Sequence, residues 1–145
     1  SERGLSLRSP GRFMATATKL IDLFRRYGKT ADPALRNDVI QAWMDAQAYR
    51  LYTFQTVTGM MNGRSIGAAS SLNKIFWSEM DIKTHETALA LLASGAELEE
   101  TSPDAVDRGN WMKGFQFALA GPIYAGTNEI QRNIVAERVL GLPKR

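Results

Sequence analysis

The residues best placed to do chemistry lie near the C-terminus, in Gly121 to Arg145. Gly121-Pro122 breaks any preceding helix, and Tyr124-Ala125-Gly126-Thr127 makes a tight turn of small residues. A short helix is predicted next, capped by Asn128 with Gln131 three residues on as in a capping box. Glu129 falls in its first turn, where the helix dipole favours negative charge. Ile130, Ile134, Val135 and Val139 give it an apolar stripe, and Gly141 and Pro143 end it. A small-residue turn feeding a helix N-terminus offers free N–H groups to a phosphate or another anion. An ordinary loop between two packed helices reads the same way. Elsewhere, candidate acid–base groups are few. His85 is the single histidine, and a local hydrogen bond is its simplest role. With no cysteine in the chain, thiolate catalysis, disulfides and cysteine-ligated metal are excluded. Together these facts argue against a metal site.

The elements that must position this turn are helical. Ser9-Pro10 reads as N-cap and first helical residue. Phe13, Met14, Ala17, Leu20, Ile21, Phe24 and Tyr27 then share one face, and Gly28 ends the helix. Asp32-Pro33 starts a second helix of about 30 residues, roughly 45 Å long. It carries Leu35, Val39, Trp43, Ala46, Tyr49, Phe54, Val57 and Met61 at a drifting helical period, with Asn62-Gly63 as its end. A third runs from Ser70 to Leu92, marked by Leu72, Ile75, Phe76, Met80, His85, Leu89 and Leu92. The acidic stretch from Ala93 to Gly109 reads as an irregular surface loop. A short amphipathic helix from Asn110 to Leu119 leads into the turn. Aromatic and methionine residues at helical spacing, Trp43 and Met60-Met61 included, are expected in the core. No strand, repeat or low-complexity run interrupts this pattern. The fold class is therefore all-α, an antiparallel helical bundle occupying residues 1–145 as a single domain.

Composition sets further bounds. At 44% apolar and 23% charged, the chain has an ordinary globular balance, and 145 residues suffice for a core. Its net charge of +3 is spread along the chain, so no nucleic-acid partner is indicated. No apolar run is long enough for a membrane span. The first residues lack an apolar signal-peptide core, so a cytoplasmic location is expected.

The run Pro122-Ile123-Tyr124-Ala125-Gly126-Thr127-Asn128-Glu129-Ile130-Gln131-Arg132, continuing through Leu142-Pro143, resembles the C-terminal signature of flavin-dependent acyl-CoA dehydrogenases. The family pattern is roughly Ile-Tyr-Glu-Gly-Thr-x-Glu-Ile-Gln-Arg. The resemblance implies the C-terminal helical domain of a longer, three-domain protein. It implies FAD as cofactor, an acyl-CoA substrate, α,β-desaturation of the thioester, a homo- or hetero-tetramer, and a flavoprotein as electron acceptor. By the same resemblance, Tyr124 and Gly126 would contact substrate, and Thr127, Asn128 and Glu129 the subunit's own flavin. Lys74 and Glu79 match the family's Lys-x-x-x-x-Glu helix.

Several positions depart from the family. Its catalytic glutamate falls at Ala125, which takes no proton. Relatives of the isovaleryl type supply the base from the first helix of this domain, in a Glu-Arg pair, and Glu2-Arg3 occupies a similar place. Glu2 is therefore the candidate base. Phe24 stands at a flavin-binding arginine position, and Arg36 where the family has a flavin-binding glutamine for a neighbouring subunit. A glycine-rich segment has become Ala90, Ala93, Ser94 and Ala96. These losses leave two alternatives open: a catalytic dehydrogenase, or a non-catalytic structural subunit of a mixed tetramer. An unrelated helical binding bundle is a third.

Overall fold

The computed structural model describes residues 8–144. Five α-helices make up the bundle: α1 (Pro10–Tyr27), α2 (Pro33–Met61), α3 (Ser70–Leu92), α4 (Asn110–Ala118) and α5 (Asn128–Arg138). Among the described residues there is no strand. The two longest helices lie where the apolar period puts them. Proline opens both α1 and α2, where its fixed φ suits a first turn and its missing N–H costs nothing. The Asp32 carboxylate accepts from Ala34 N at 2.8 Å and caps α2. The segment from Ala93 to Gly109 is more ordered than expected. It contains a short 3-10 turn, Ala93–Glu97, and a left-handed turn at Asp107–Gly109, where φ is 49°, 58° and 67°.

α3 is the hub, packing against α1, α2, α4 and α5. Surrounded on most sides, it buries polar as well as apolar residues: Asn73, Lys74, Ser78, Asp81 and His85 beside Trp77, Met80, Ala88 and Leu91. The core has two parts along the bundle axis. One gathers Leu20, Leu23, Val39, Ala88, Leu91 and Trp111. The other gathers Phe13, Ala17, Ala46, Tyr49, Trp77 and Met80, with Tyr124 packed on it. Leu20 and Leu23 are fully buried, each stabilising the fold by about 1.5–3 kcal/mol.

The expected core of α2 is corrected here. Val39, Ala46 and Tyr49 are buried, but Trp43, Phe54, Val57, Met60 and Met61 are exposed, Met61 at 82%. On α3, Leu72 and Phe76 are exposed as well. α2 is apolar around its circumference, so it meets α1 and α3 with one face and leaves another uncovered. Between Ile40 and Met61 its only charged residues are Asp45 and Arg50.

Candidate active-site turn

α5 is seated by side chains from α3. Asn128 is the first residue of α5 and 2% exposed. Its Oδ1 accepts from Lys74 Nζ at 2.7 Å. Its Nδ2 donates to Ser78 Oγ at 3.1 Å and to Glu79 Oε1 at 3.2 Å. Glu79 also pairs with Arg132, one turn along α5. The Lys74–Glu79 motif and the C-terminal signature, far apart in sequence, thus form one polar lock. Lys74 is itself buried, and desolvation lowers its pKa from the usual lysine value. A buried ammonium is tolerated because Asn128 holds it.

Asn128 is therefore not the helix cap. Thr127 is, its Oγ1 accepting from Ile130 N at 3.4 Å. Gln131 does not close a capping box either. It reaches back, donating from Nε2 to Ala125 O at 2.9 Å. This bond braces a turn in which Ala125 has φ 56° and Gly126 φ 85°. The left-handed region is open to glycine but strains alanine.

The N–H groups expected to be free are used within the chain. Asn128 N donates to Pro122 O at 2.9 Å, and Ile130 N to Thr127 Oγ1 at 3.4 Å. The Glu129 carboxyl is held below its usual range by its own backbone N–H and by the Thr127 hydroxyl. Much of the start of α5 is thus capped by the chain itself, in keeping with an ordinary loop between two packed helices. The apolar stripe of α5 also differs from expectation, since Ile130 and Val139 are exposed.

Tyr124 is half-buried and stacks near Trp77, ring centroids 5.9 Å apart. Trp77 stacks in turn on Phe13 at 6.2 Å. The Arg8 guanidinium lies 5.1 Å from the Tyr124 centroid and 5.3 Å from that of Trp77, and it donates to the Tyr124 hydroxyl. Tyr49 donates to Arg8 O at 2.9 Å. Sequence reasoning missed this aromatic stack and its arginine; Arg8, beside a helix-starting Ser-Pro, gave no signal of a partner 116 residues away.

The structure brings Tyr124, Gly126, Thr127, Asn128 and Glu129 together on the turn. Arg36 does not join them. It is exposed in the first turn of α2, next to Leu35, which packs on the core part holding Leu91. The turn is anchored at Lys74 instead, and residues 74 and 91 are about 25 Å apart along α3. Glu2 lies outside the described residues. His85 makes the local contact expected of it, Nδ1 to Asp81 O at 2.8 Å. Among the described residues no cluster could hold a metal ion, and no helix is long and apolar enough to cross a membrane.

This architecture is shared with known proteins. The family model described as acyl-CoA dehydrogenase, C-terminal domain, matches residues 5–140. The acyl-CoA dehydrogenase IpdE1 of Mycolicibacterium smegmatis is 34% identical over 145 residues, covering 99% of this chain and 34% of that protein. The acyl-CoA dehydrogenase IpdE1 of Mycobacterium tuberculosis is 33% identical over 127 residues, covering 88% of this chain and 31% of that protein. In fold, the chain is similar to the Tcur3481-Tcur3483 steroid ACAD, with a TM-score of 0.82 at 24% identity over 94% of this chain and 35% of that one. It is also similar to a chain of the ChsE4-ChsE5 complex from Mycobacterium tuberculosis, with a TM-score of 0.78 at 23% identity, over 97% of this chain and 37% of that one. The chain spans about a third of the length of these relatives. With the family model matching nearly end to end, the chain belongs to the acyl-CoA dehydrogenase family, in which it corresponds to the C-terminal helical domain.

Proposed function

We propose that this chain acts as the C-terminal domain of an FAD-dependent acyl-CoA dehydrogenase that desaturates the α,β bond of an acyl-CoA thioester. The single observation carrying this reading is the locked turn. The lock of Lys74, Ser78 and Glu79 on Asn128 and Arg132 seats α5 directly after the left-handed bend at Ala125 and Gly126. Catalytic positioning needs that kind of rigidity.

The side chains present fit one border of a flavin rather than a whole site. Thr127 and Asn128 have their polar atoms engaged within the chain and Gln131 takes Ala125 O, leaving the exposed Glu129 carboxylate, itself steadied by the Thr127 hydroxyl, to face a bound group. A flavin held there would supply the hydride acceptor for the β carbon of the thioester. This chain's contribution is to orient. Tyr124, backed by Trp77 and Arg8, forms an aromatic wall for the acyl group, and Gly126 admits it closely. Arg36, at the other end of the bundle, would serve a neighbouring subunit's flavin. The α-proton requires a carboxylate, which Ala125 is not, and Glu2 is the residue we assign to remove it.

A second reading is favoured by Ala125 itself. A non-catalytic subunit in a mixed tetramer needs the lock but no base. The ChsE4-ChsE5 structure is by its name a complex of two chains. The uncovered apolar face of α2 supports assembly under either reading, because exposed apolar surface of this kind commonly marks an interaction site.

The deciding experiment mixes the full-length protein with an acyl-CoA and follows bleaching of flavin absorbance. Reduction that Glu2→Gln abolishes, with flavin content retained, supports the catalytic reading. Activity only after a partner subunit is added supports the structural one.

A further inference from the structure

A hollow of about 570 Å³ opens between α1 and the turn that leads into α4. Lys19, Asp22 and Arg26 line it from α1, Asp107 and Arg108 from the turn, and His85 from α3. Its two carboxylates are already taken. The Arg26 guanidinium donates to both Asp107 oxygens, at 2.9 and 3.2 Å, and Trp111 Nε1 donates to Asp107 Oδ2 at 2.9 Å. Asp22 pairs with Arg25 at 2.9 Å. Lys19 and Arg108, one from each side, are exposed and make no ion pair among the described residues. The backbone presents Arg108 at φ 58°, a strained place for any residue but glycine. His85 is 6% exposed. Its Nδ1 lies 2.8 Å from Asp81 O, which can only accept, so Nδ1 carries the proton and Nε2 keeps a lone pair. No hydrogen bond reaches Nε2 from the described residues. Gly114 leaves that nitrogen open, because a Cβ there would overlap it. An acceptor so deeply set and unmet is costly.

We propose that this hollow binds a small dicarboxylate bearing a hydroxyl group. The carboxylates pair with Lys19 and Arg108, and the hydroxyl donates to His85 Nε2. Two uncommitted cations call for two negative charges, and a lone pair calls for an O–H. A phosphate monoester brings the charge without the hydrogen, since its second pKa is about 6 and it is mostly a dianion at neutral pH. Phe24, at the family's flavin-binding arginine position, is about 140° round α1 from Lys19. His85 lies about 16 Å along α3 from Lys74, which anchors the Tyr124–Glu129 turn. The site is therefore separate from both and stands whether or not the chain is catalytic.

The test titrates the full chain with L-malate, D-malate and succinate, which has the same two carboxylates and no hydroxyl, at constant pH and ionic strength. The readout is NMR of the imidazole of His85, the single histidine of the chain. The expected result is a saturable ring shift, with one malate enantiomer binding about tenfold tighter than succinate, as one recovered hydrogen bond predicts. Arg108→Gly removes a cation and suits φ 58°, so the variant should fold at least as well while malate and succinate both bind about tenfold more weakly. Lys19→Gln, at an exposed position, should act in the same direction. Equal affinity for malate and succinate overturns the proposal. So does malate binding that Arg108→Gly leaves unchanged, or a ring shift that sodium chloride reproduces at matched ionic strength.

Discussion

The imidazole of His85 fills the space that a side chain at residue 114 would need. A Cβ built on Gly114 would overlap His85 Nε2 and lie 2.7 Å from Cδ2. α4 can lie this close to α3 because glycine stands there. The ring is fixed from its other edge by Asp81 O and packs at 5.9 Å from Trp111. Gly114→Ala should therefore destabilise the chain by about 1–3 kcal/mol, although alanine is the better helix former. Urea unfolding followed by circular dichroism measures it. An unchanged midpoint would mean that α4 shifts freely.

The polar lock gives an asymmetric expectation. Asn128→Ala strands the Lys74 ammonium in a buried place and should cost about 2–4 kcal/mol. Lys74→Met removes the charge and should cost less. The double variant should be more stable than the two losses added together predict, the mark of direct coupling. A double-mutant cycle in urea gives the coupling energy, and simple additivity would refute the lock.

These two contacts mark the boundary of what the sequence discloses. Helix positions were legible because Ser9-Pro10, Asp32-Pro33 and Asn62-Gly63 are local signals, read without knowing the fold. The Thr127–Asn128 pair was misassigned because both residues cap helices well. Only a lysine 54 residues upstream decides between them. α2 deceived for another reason. An apolar residue on every side leaves no polar face to identify the outside, so Val39 and Trp43 look alike in sequence yet part ways in the fold. The turn was recognisable from its motif, whereas its arginine and aromatic backing depends on chain packing.

Asp81 makes stability depend on pH. Burial raises its carboxyl pKa above the ordinary 3.8, against the opposing pull of Arg12 and His85. A raised folded-state value means that the folded chain keeps the proton longer. Its stabilising contribution is full below 3.8 and is lost as pH rises through the raised value. Asp81→Asn has no such proton. The stability of the wild type should fall relative to this variant as pH climbs from 3.8 toward neutrality, in paired denaturation curves at fixed salt. Parallel curves would show that Arg12, 2.9 Å away, compensates burial fully.

Ala125 separates stability from chemistry. Ala125→Gly should relieve the left-handed strain and raise stability by up to about 1 kcal/mol. Ala125→Glu should lower stability slightly. In the full-length protein it should also confer or enhance acyl-CoA-dependent flavin reduction, if the turn faces substrate. Stopped-flow absorbance reads the second effect and thermal unfolding the first. A glutamate variant with retained flavin and no gain would place the turn away from the α carbon.

The exposed face of α2 predicts association. Leu51→Glu, at a position 61% exposed, should leave the fold of the chain intact and shift the full-length protein toward smaller species in sedimentation velocity. Unchanged sedimentation would assign the face to a different role.

The lock between α3 and α5 also has a consequence in time. Helices α1, α2 and α3 follow one another through short connections and can pair as soon as each is made. Asn128 must close a loop of more than fifty residues before it meets Lys74, and such long-range closure is entropically slow to reach. The C-terminal turn is thus expected to be set after the scaffold that holds it. Until then the lysine side chain stays hydrated. The intermediate to look for in refolding is a three-helix bundle whose C-terminal turn is still open.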